Sequence, residues 1–164
     1  VTIDNVQLLE LSDDGIATSP DIGGLPFNYS YGIVITNVLV RNNSWRGIDI
    51  QYVKNVSIAN VVIDSVGGYG MEIHNVDDVV VSGVSMSRVG GAGVGYRNTF
   101  VNRYGFVITN VNRLSASALA FSAISDSHLV SVTGSTDVLV NAQTIQGKTL
   151  FLNNGGNTNV TVGS

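Results

Sequence analysis

Apolar residues recur at every second place along much of the chain, in runs too short for helices. Val56-Ser-Ile58, Val61-Val-Ile63, Val79-Val-Val81 and Val84-Ser-Met86 each set two apolar side chains on one side of an extended segment. Their β-branched character is what strands favour. No stretch keeps apolar spacing at i, i+3, i+4 over three turns. Between the runs sit Asn, Gly or Asn-Val steps that turn the chain through a corner instead of reversing it. The pattern predicts an all-β chain of short strands joined by corners.

The pattern also repeats. Gly47-Ile-Asp-Ile-Gln51, Gly70-Met-Glu-Ile-His74 and Gly93-Val-Gly-Tyr-Arg97 follow at steps of 23 residues, as do Ile35-Thr-Asn-Val38, Ile58-Ala-Asn-Val61 and Val81-Ser-Gly-Val84. Two near-identical phrases, YGIVITNV at 31–38 and YGFVITNV at 104–111, then read as one edge of the same coil. They lie three repeats apart, with four residues inserted within Asn98 to Tyr104. One repeat cannot bury its apolar side alone, so stacking of neighbours must complete the core. Asn5, Asn37, Asn60, Gly83 and Asn110 are expected at one stacked corner, where amide side chains can bond along the axis. Arg41 is expected over Asp64, and Lys54 over Asp77, at the spacing of about 4.8 Å between neighbouring strands.

These 23-residue rungs, the Asn corner and the Gly-φ-x-φ and Asn-Val-x-φ phrases (φ, an apolar residue) resemble the right-handed parallel β-helix of the pectin-lyase-like superfamily. Phage tailspikes and polysaccharide lyases, hydrolases and epimerases are similar in this respect. The resemblance implies a single-stranded solenoid in one domain over residues 1–164. Residues 12–31 are expected as a protruding loop that holds both prolines, 31–111 as the clearest rungs, 112–135 as an irregular stretch and 136–164 as terminal rungs. The chain opens at Val1 without Met and is expected to be part of something longer. Neither end offers a helix to cap the solenoid, so something must cover the open strand edges. The tailspike likeness implies a homotrimer and an extracellular or virion-surface location.

Composition narrows the classes. Of 164 residues only 12% are charged, where about 25% is usual, while 44% are hydrophobic and 19 are glycine. That suits a folded chain more than a disordered one. A net charge of −4, with Lys54 and Lys148 the two lysines, argues against nucleic acid as a partner. No apolar run approaches the roughly 18 residues of a membrane span, so no membrane partner is expected. Without cysteine there is no thiolate metal site, Cys nucleophile or disulfide framework. No cofactor or metal is expected.

Chemistry is expected where stacked rungs disagree. With Ile48 and Ile50 pointing inward, Asp49 and Gln51 should face out, with Glu72 and His74 over them and Gly95 and Arg97 above those. Two carboxylates on adjacent strands would stand roughly 5 Å apart, near the separation used in retaining glycosidases. Like charges that close raise one pKa and favour an acid–base pair. Asp49, Glu72, His74 and Arg97 are therefore the candidate catalytic residues, with Trp45, Arg46, Gln51 and Tyr69 lining a polysaccharide subsite. Trp45, over which Gly68 and Gly91 are expected, would be left uncovered. The same acids also read as ordinary solvated surface, and Trp45 as packed under a loop. The polygalacturonase phrases Asn-Thr-Asp, Gly-His-Gly and Arg-Ile-Lys are missing, so no family catalytic residue transfers. Two function classes stay open: a carbohydrate-engaging β-helix module, catalytic as a lyase, hydrolase or epimerase, and a non-catalytic adhesive, spacer or trimerising segment.

Overall fold

A computed structural model describes residues 1–18, 29–90, 103–143 and 148–163. Among these residues every regular element is a strand, and no helix is long and apolar enough to cross a membrane. The eleven strands are β1 (Thr2–Leu9), β2 (Ile16–Ala17), β3 (Ser30–Asn43), β4 (Ile48–Gln51), β5 (Val53–Val66), β6 (Met71–Val89), β7 (Phe106–Ser122), β8 (His128–Thr133), β9 (Thr136–Ala142), β10 (Thr149–Asn153) and β11 (Thr158–Gly163). All pairings are parallel, in the order β1-β3-β5-β6-β7-β8-β10, with β4 between β2 and β6, and β9 between β7 and β11. The strands stack in the manner of a β-solenoid, each coil over the one before.

The long strands wrap round the molecule because single residues within them adopt left-handed backbone angles. Asn5, Asn37, Asn60, Gly83 and Ala118 form one such column, with φ from 52° at Ala118 to 60° at Gly83. Each swings the chain through a corner and resets the in–out alternation, so that Ile58 and Val61 both face inward across Asn60. Asparagine tolerates this region better than most side chains. Its amide also bonds along the stack: Asn60 Nδ2 donates to Asn37 Oδ1 at 3.4 Å, and Asn37 Nδ2 to Asp4 Oδ1 at 2.9 Å. The expected charge pairs form between neighbouring strands, Arg41 with Asp64 at 3.3 Å and Lys54 with Asp77 at 3.2 Å.

The interior is filled by in-register aliphatic columns such as Ile35, Ile58, Val81, Ala116 and Val140. One inner column holds no side chain. A Cβ on Gly15, Gly47 or Gly70 would lie 2.6, 2.5 or 2.6 Å from the carbonyl oxygen of the next glycine, Gly47, Gly70 or Gly105. It would also meet Val40, Ile63 or Met86 from the opposite wall at 2.6, 2.5 and 2.8 Å. These glycines let the two walls of the coil close on one another.

The fourth member of that column corrects the alignment. Gly105 follows Gly70, where Gly93 was expected; Gly93 to Arg97 lie outside the described residues. β5 and β6 pair at an offset of 23 residues, as in Asp64 with Ser87. β6 and β7 pair at 35, as in Asp78 with Arg113. The phrase at 104–111 therefore stacks on 69–76, whereas that at 31–38 stacks on 54–61. The two copies occupy different walls of the solenoid and are not one edge. Asn110 accordingly belongs to the corner of Asn75, to which its Nδ2 donates at 3.1 Å, and Ala118 takes the place over Gly83. The stretch 112–135, expected to be irregular, holds the rest of β7, through Ser122, and all of β8 (His128–Thr133), both paired in register. Ile16–Ala17, within the expected loop, pairs with Ile48–Asp49.

Gly47→Ala tests the close approach. Forced overpacking at such a contact costs roughly 1–3 kcal/mol, so thermal unfolding should shift down by several degrees. An unchanged midpoint would mean the walls stand farther apart.

Candidate functional site

The residue before each glycine of this column stands at the same place on successive coils: Asp14, Arg46, Tyr69 and Tyr104. The two strand positions beyond carry Asp49 under Glu72 and Gln51 under His74. One wall thus gathers most of the expected site residues. Arg46 is its hub. Its Nε and Nη2 donate to the two oxygens of Asp14 at 3.0 and 3.1 Å, and its Nη1 reaches Glu72 Oε2 at 2.7 Å and Asp49 Oδ2 at 2.9 Å. Its backbone N–H also donates to Asp14 Oδ1 at 3.0 Å. Asp14 was not expected here, though the Asp-Gly-Ile order at 14–16 parallels Arg-Gly-Ile at 46–48. The offset of 32 residues between them hides it from a 23-residue repeat.

Burial departs from expectation. Asp49, expected on an exposed face, is 2% exposed beneath Arg46, while Glu72 keeps 14% and Arg46 18%. The side chain does leave the core, but the guanidinium and the neighbouring coils close over it. Asp49 Oδ2 accepts from Arg46 and from Gln51 Nε2, and its Oδ1 is buried without a hydrogen-bond partner. Burial pushes the Asp49 carboxyl up to about 7; the charges of Glu72 and Asp14 reinforce this against Arg46 and the Gln51 bond. Burial alone would weaken the Arg46 charge, yet its bonds to Asp14 and Glu72 and the field of Asp49 raise its pKa overall.

His74 lies half-buried over Gln51, its Nε2 closed from solvent and without a partner. Burial lowers its pKa, the charge of Glu72 working against that and Arg46 with it. Tyr52 meets the imidazole edge-on at 6.0 Å, Tyr29 lies 6.4 Å beyond, and Lys54 Nζ stands 4.7 Å over the Tyr29 ring. Tyr69 stacks on Tyr104, centroids 6.2 Å apart and planes 14° from parallel. Trp45, expected uncovered, is half-buried, with Gly68 N–H donating to its carbonyl at 2.7 Å. Arg97 lies outside the described residues, and over Glu72 and His74 stand Val107 and Thr109 instead. Among the described residues no group of His, Asp and Glu is arranged to hold a metal ion.

No protein-family model and no curated protein matches the chain in sequence. In structure it is similar to a "putative glycosyl hydrolase" from Parabacteroides merdae, with a TM-score of 0.40 and 8% identity over 96% of this chain and 80% of that one. It is also similar to QnrB1, a plasmid-mediated fluoroquinolone resistance protein, with a TM-score of 0.15 and 8% identity over 96% of this chain and 93% of that one. Neither likeness carries an argument about activity.

The cluster gives stability a definite pH dependence. Unfolded, Asp49 loses its proton near the ordinary 3.8; folded, near 7. Between those values the folded state holds the extra proton, so stability falls as pH rises through the window and levels off above it. Asp49→Asn should remove this slope, as read from denaturant midpoints at pH 4, 5.5 and 8. An unchanged slope would place the titration elsewhere.

Proposed function

We propose that this chain is a carbohydrate-engaging module built on a right-handed parallel β-helix of 23-residue rungs, pectin-lyase-like in form. In this reading it belongs to an exported or virion-surface protein that cleaves a polysaccharide. The observation that carries the proposal is the Asp49/Glu72 pair. Both carboxylates contact Arg46 Nη1, at 2.9 and 2.7 Å. Their oxygens therefore stand within roughly 6 Å of one another, compatible with the short carboxyl separation of retaining glycosidases. One member holds its proton to near neutral pH while the other keeps solvent access, which is the division of labour an acid–base pair requires.

Access decides the roles. Glu72 meets the substrate as base or nucleophile, and Asp49, closed off beneath Arg46 in the free protein, gives its proton to the leaving oxygen once substrate displaces the guanidinium from above it. Tyr69 and Trp45, both half-buried, offer rings to the apolar faces of sugars, with the buried Tyr104 stacked behind Tyr69. His74, held neutral by burial, orients substrate.

One observation favours a second reading. Arg46 ties together Asp14, Asp49 and Glu72 from three successive coils, and a clamp of that kind needs no substrate. In that reading the chain is a non-catalytic adhesive or spacer segment. A panel of neutral and uronate-containing polysaccharides, scored for chain shortening and for unsaturated ends, separates the two. Cleavage that falls at least about a hundredfold in Glu72→Gln, with little change in melting temperature, supports catalysis. No cleavage of any glycan by the parent, together with a clear loss of stability in the variant, supports the clamp.

A further inference from the structure

A second wall of the solenoid, away from Arg46, carries a shallow groove of about 630 Å³ along the stack of coils. Its floor is one outward column whose members pair strand to strand, Val34, Ser57, Val80, Ser115 and Leu139, and the column runs on past the groove to Thr161. Val34, Val80 and Leu139 are 37, 55 and 43% exposed, unusual for aliphatic side chains in regular positions of a sheet. Its rim is a corner column reading Asn55, Asp78, Arg113, Asp137, in which Arg113 Nε and Nη2 already bond Asp78 at 2.6 and 2.8 Å. The next outward column, Asp4, Thr36, Ala59, Ser82 and Ser117, carries one charge, on Asp4 at its end, where Thr36 and Asn37 donate to it.

We propose that this wall is a self-association surface that takes a second copy of the same chain, related by a two-fold axis parallel to the strands and midway between β6 and β7. Such an axis turns each column onto itself with the order of coils reversed. Val80 then faces Ser115 of the other copy, and Leu139 faces Ser57, so that each large side chain meets a small one. The same axis sets Asp78 against Arg113, and Asn55 against Asp137. The two existing Asp78–Arg113 pairs close into a ring of four alternating charges. One operation thus satisfies the floor and the rim together. A two-fold axis along the stack keeps the coils in the same order: over the rim it would set Arg113 on Arg113 and Asp78 on Asp78, and over the floor Ser57 on Ser57 and Val80 on Val80. That ordering puts like charges together and leaves voids.

The pairing is isologous, as a two-fold interface must be. Six strands at about 4.8 Å give a face roughly 24 Å tall, covering on the order of 600 Å² a side, below the roughly 800 Å² of a standard interface. A face of that size suits a weak dimer, expected to form over tens to hundreds of micromolar.

Sedimentation equilibrium from about 5 µM to 1 mM reads the assembly directly, and circular dichroism checks the fold of each variant. Mass should rise toward two copies, and Val80→Asp should weaken association at least about tenfold while keeping the spectrum. Arg113→Asp should weaken it likewise, and Asp78→Arg combined with Arg113→Asp should restore it, because the alternation of charge returns. The chain has no cysteine, so a short bis-maleimide reports proximity cleanly. Ser57→Cys mixed with Leu139→Cys, three strand spacings from their own copies but opposite one another across the axis, should cross-link several-fold more than either variant alone. A monomer at every concentration, a three-copy assembly, or preferential linkage of Ser57→Cys to itself would each overturn the proposal.

Discussion

Parallel backbone pairing from coil to coil is the constraint on which the rest of the molecule depends. It sets each residue over its counterpart in the strand below, so side chains acquire neighbours by position in the coil and not by proximity in sequence. Columns result, and each column imposes one demand on every residue in it. Where the walls approach most closely only hydrogen fits, which is why Gly15, Gly47, Gly70 and Gly105 share a column. Where the chain must bend, the backbone enters the left-handed region, and Asn or Gly takes most places in the column of Asn37. Departures from the favoured types, such as Ala118 in that column or Tyr52 at another corner, store strain that the surrounding hydrogen bonds and packing hold in place.

The same constraint shapes the electrostatics. Stacking carboxylates on adjacent strands is unfavourable in itself. The chain offsets it by placing one guanidinium where three coils meet, so that Asp14, Asp49 and Glu72 share Arg46. One cation cannot balance three anions in a site closed from water, and the most buried of the acids keeps its proton to near neutrality. A structural solution to crowding and a chemically poised carboxyl are thus one arrangement. The second wall faces a milder version of the problem, with Asp78, Arg113 and Asp137 alternating along an exposed corner.

Much of this was legible in the chain before any coordinates. Alternation of Val and Ile with small polar residues specified strands. The Asn of the Ile58-Ala-Asn-Val61 phrase marked a corner, and the matches of Arg41 with Asp64 and Lys54 with Asp77 are real contacts. The period failed where the offset between paired strands grows from 23 to 32, between β1 and β3, and to 35, between β6 and β7. Asp14 and Arg46 are 32 apart and Asn75 and Asn110 are 35 apart, yet each pair is as close as neighbours 23 apart. Gly93 keeps the period, but the column continues from Gly70 to Gly105, preceded by Tyr104 as Gly70 is by Tyr69, and so breaks it.

By itself the sequence determined an all-β chain with parallel strands, the residues that face its interior, and the pairing of Asp49 with Glu72 and of Gln51 with His74. Those follow from local alternation and unbroken spacing, which short-range sterics enforce. Only the tertiary structure decided that Asp14 joins them, that Asp49 is closed off beneath Arg46, and that the two Tyr-Gly phrases occupy different walls. Burial and long-range pairing belong to the coil as a closed object. A side chain that points away from the core can still be sealed by a cation reaching across from the same coil and held by an acid from the one before.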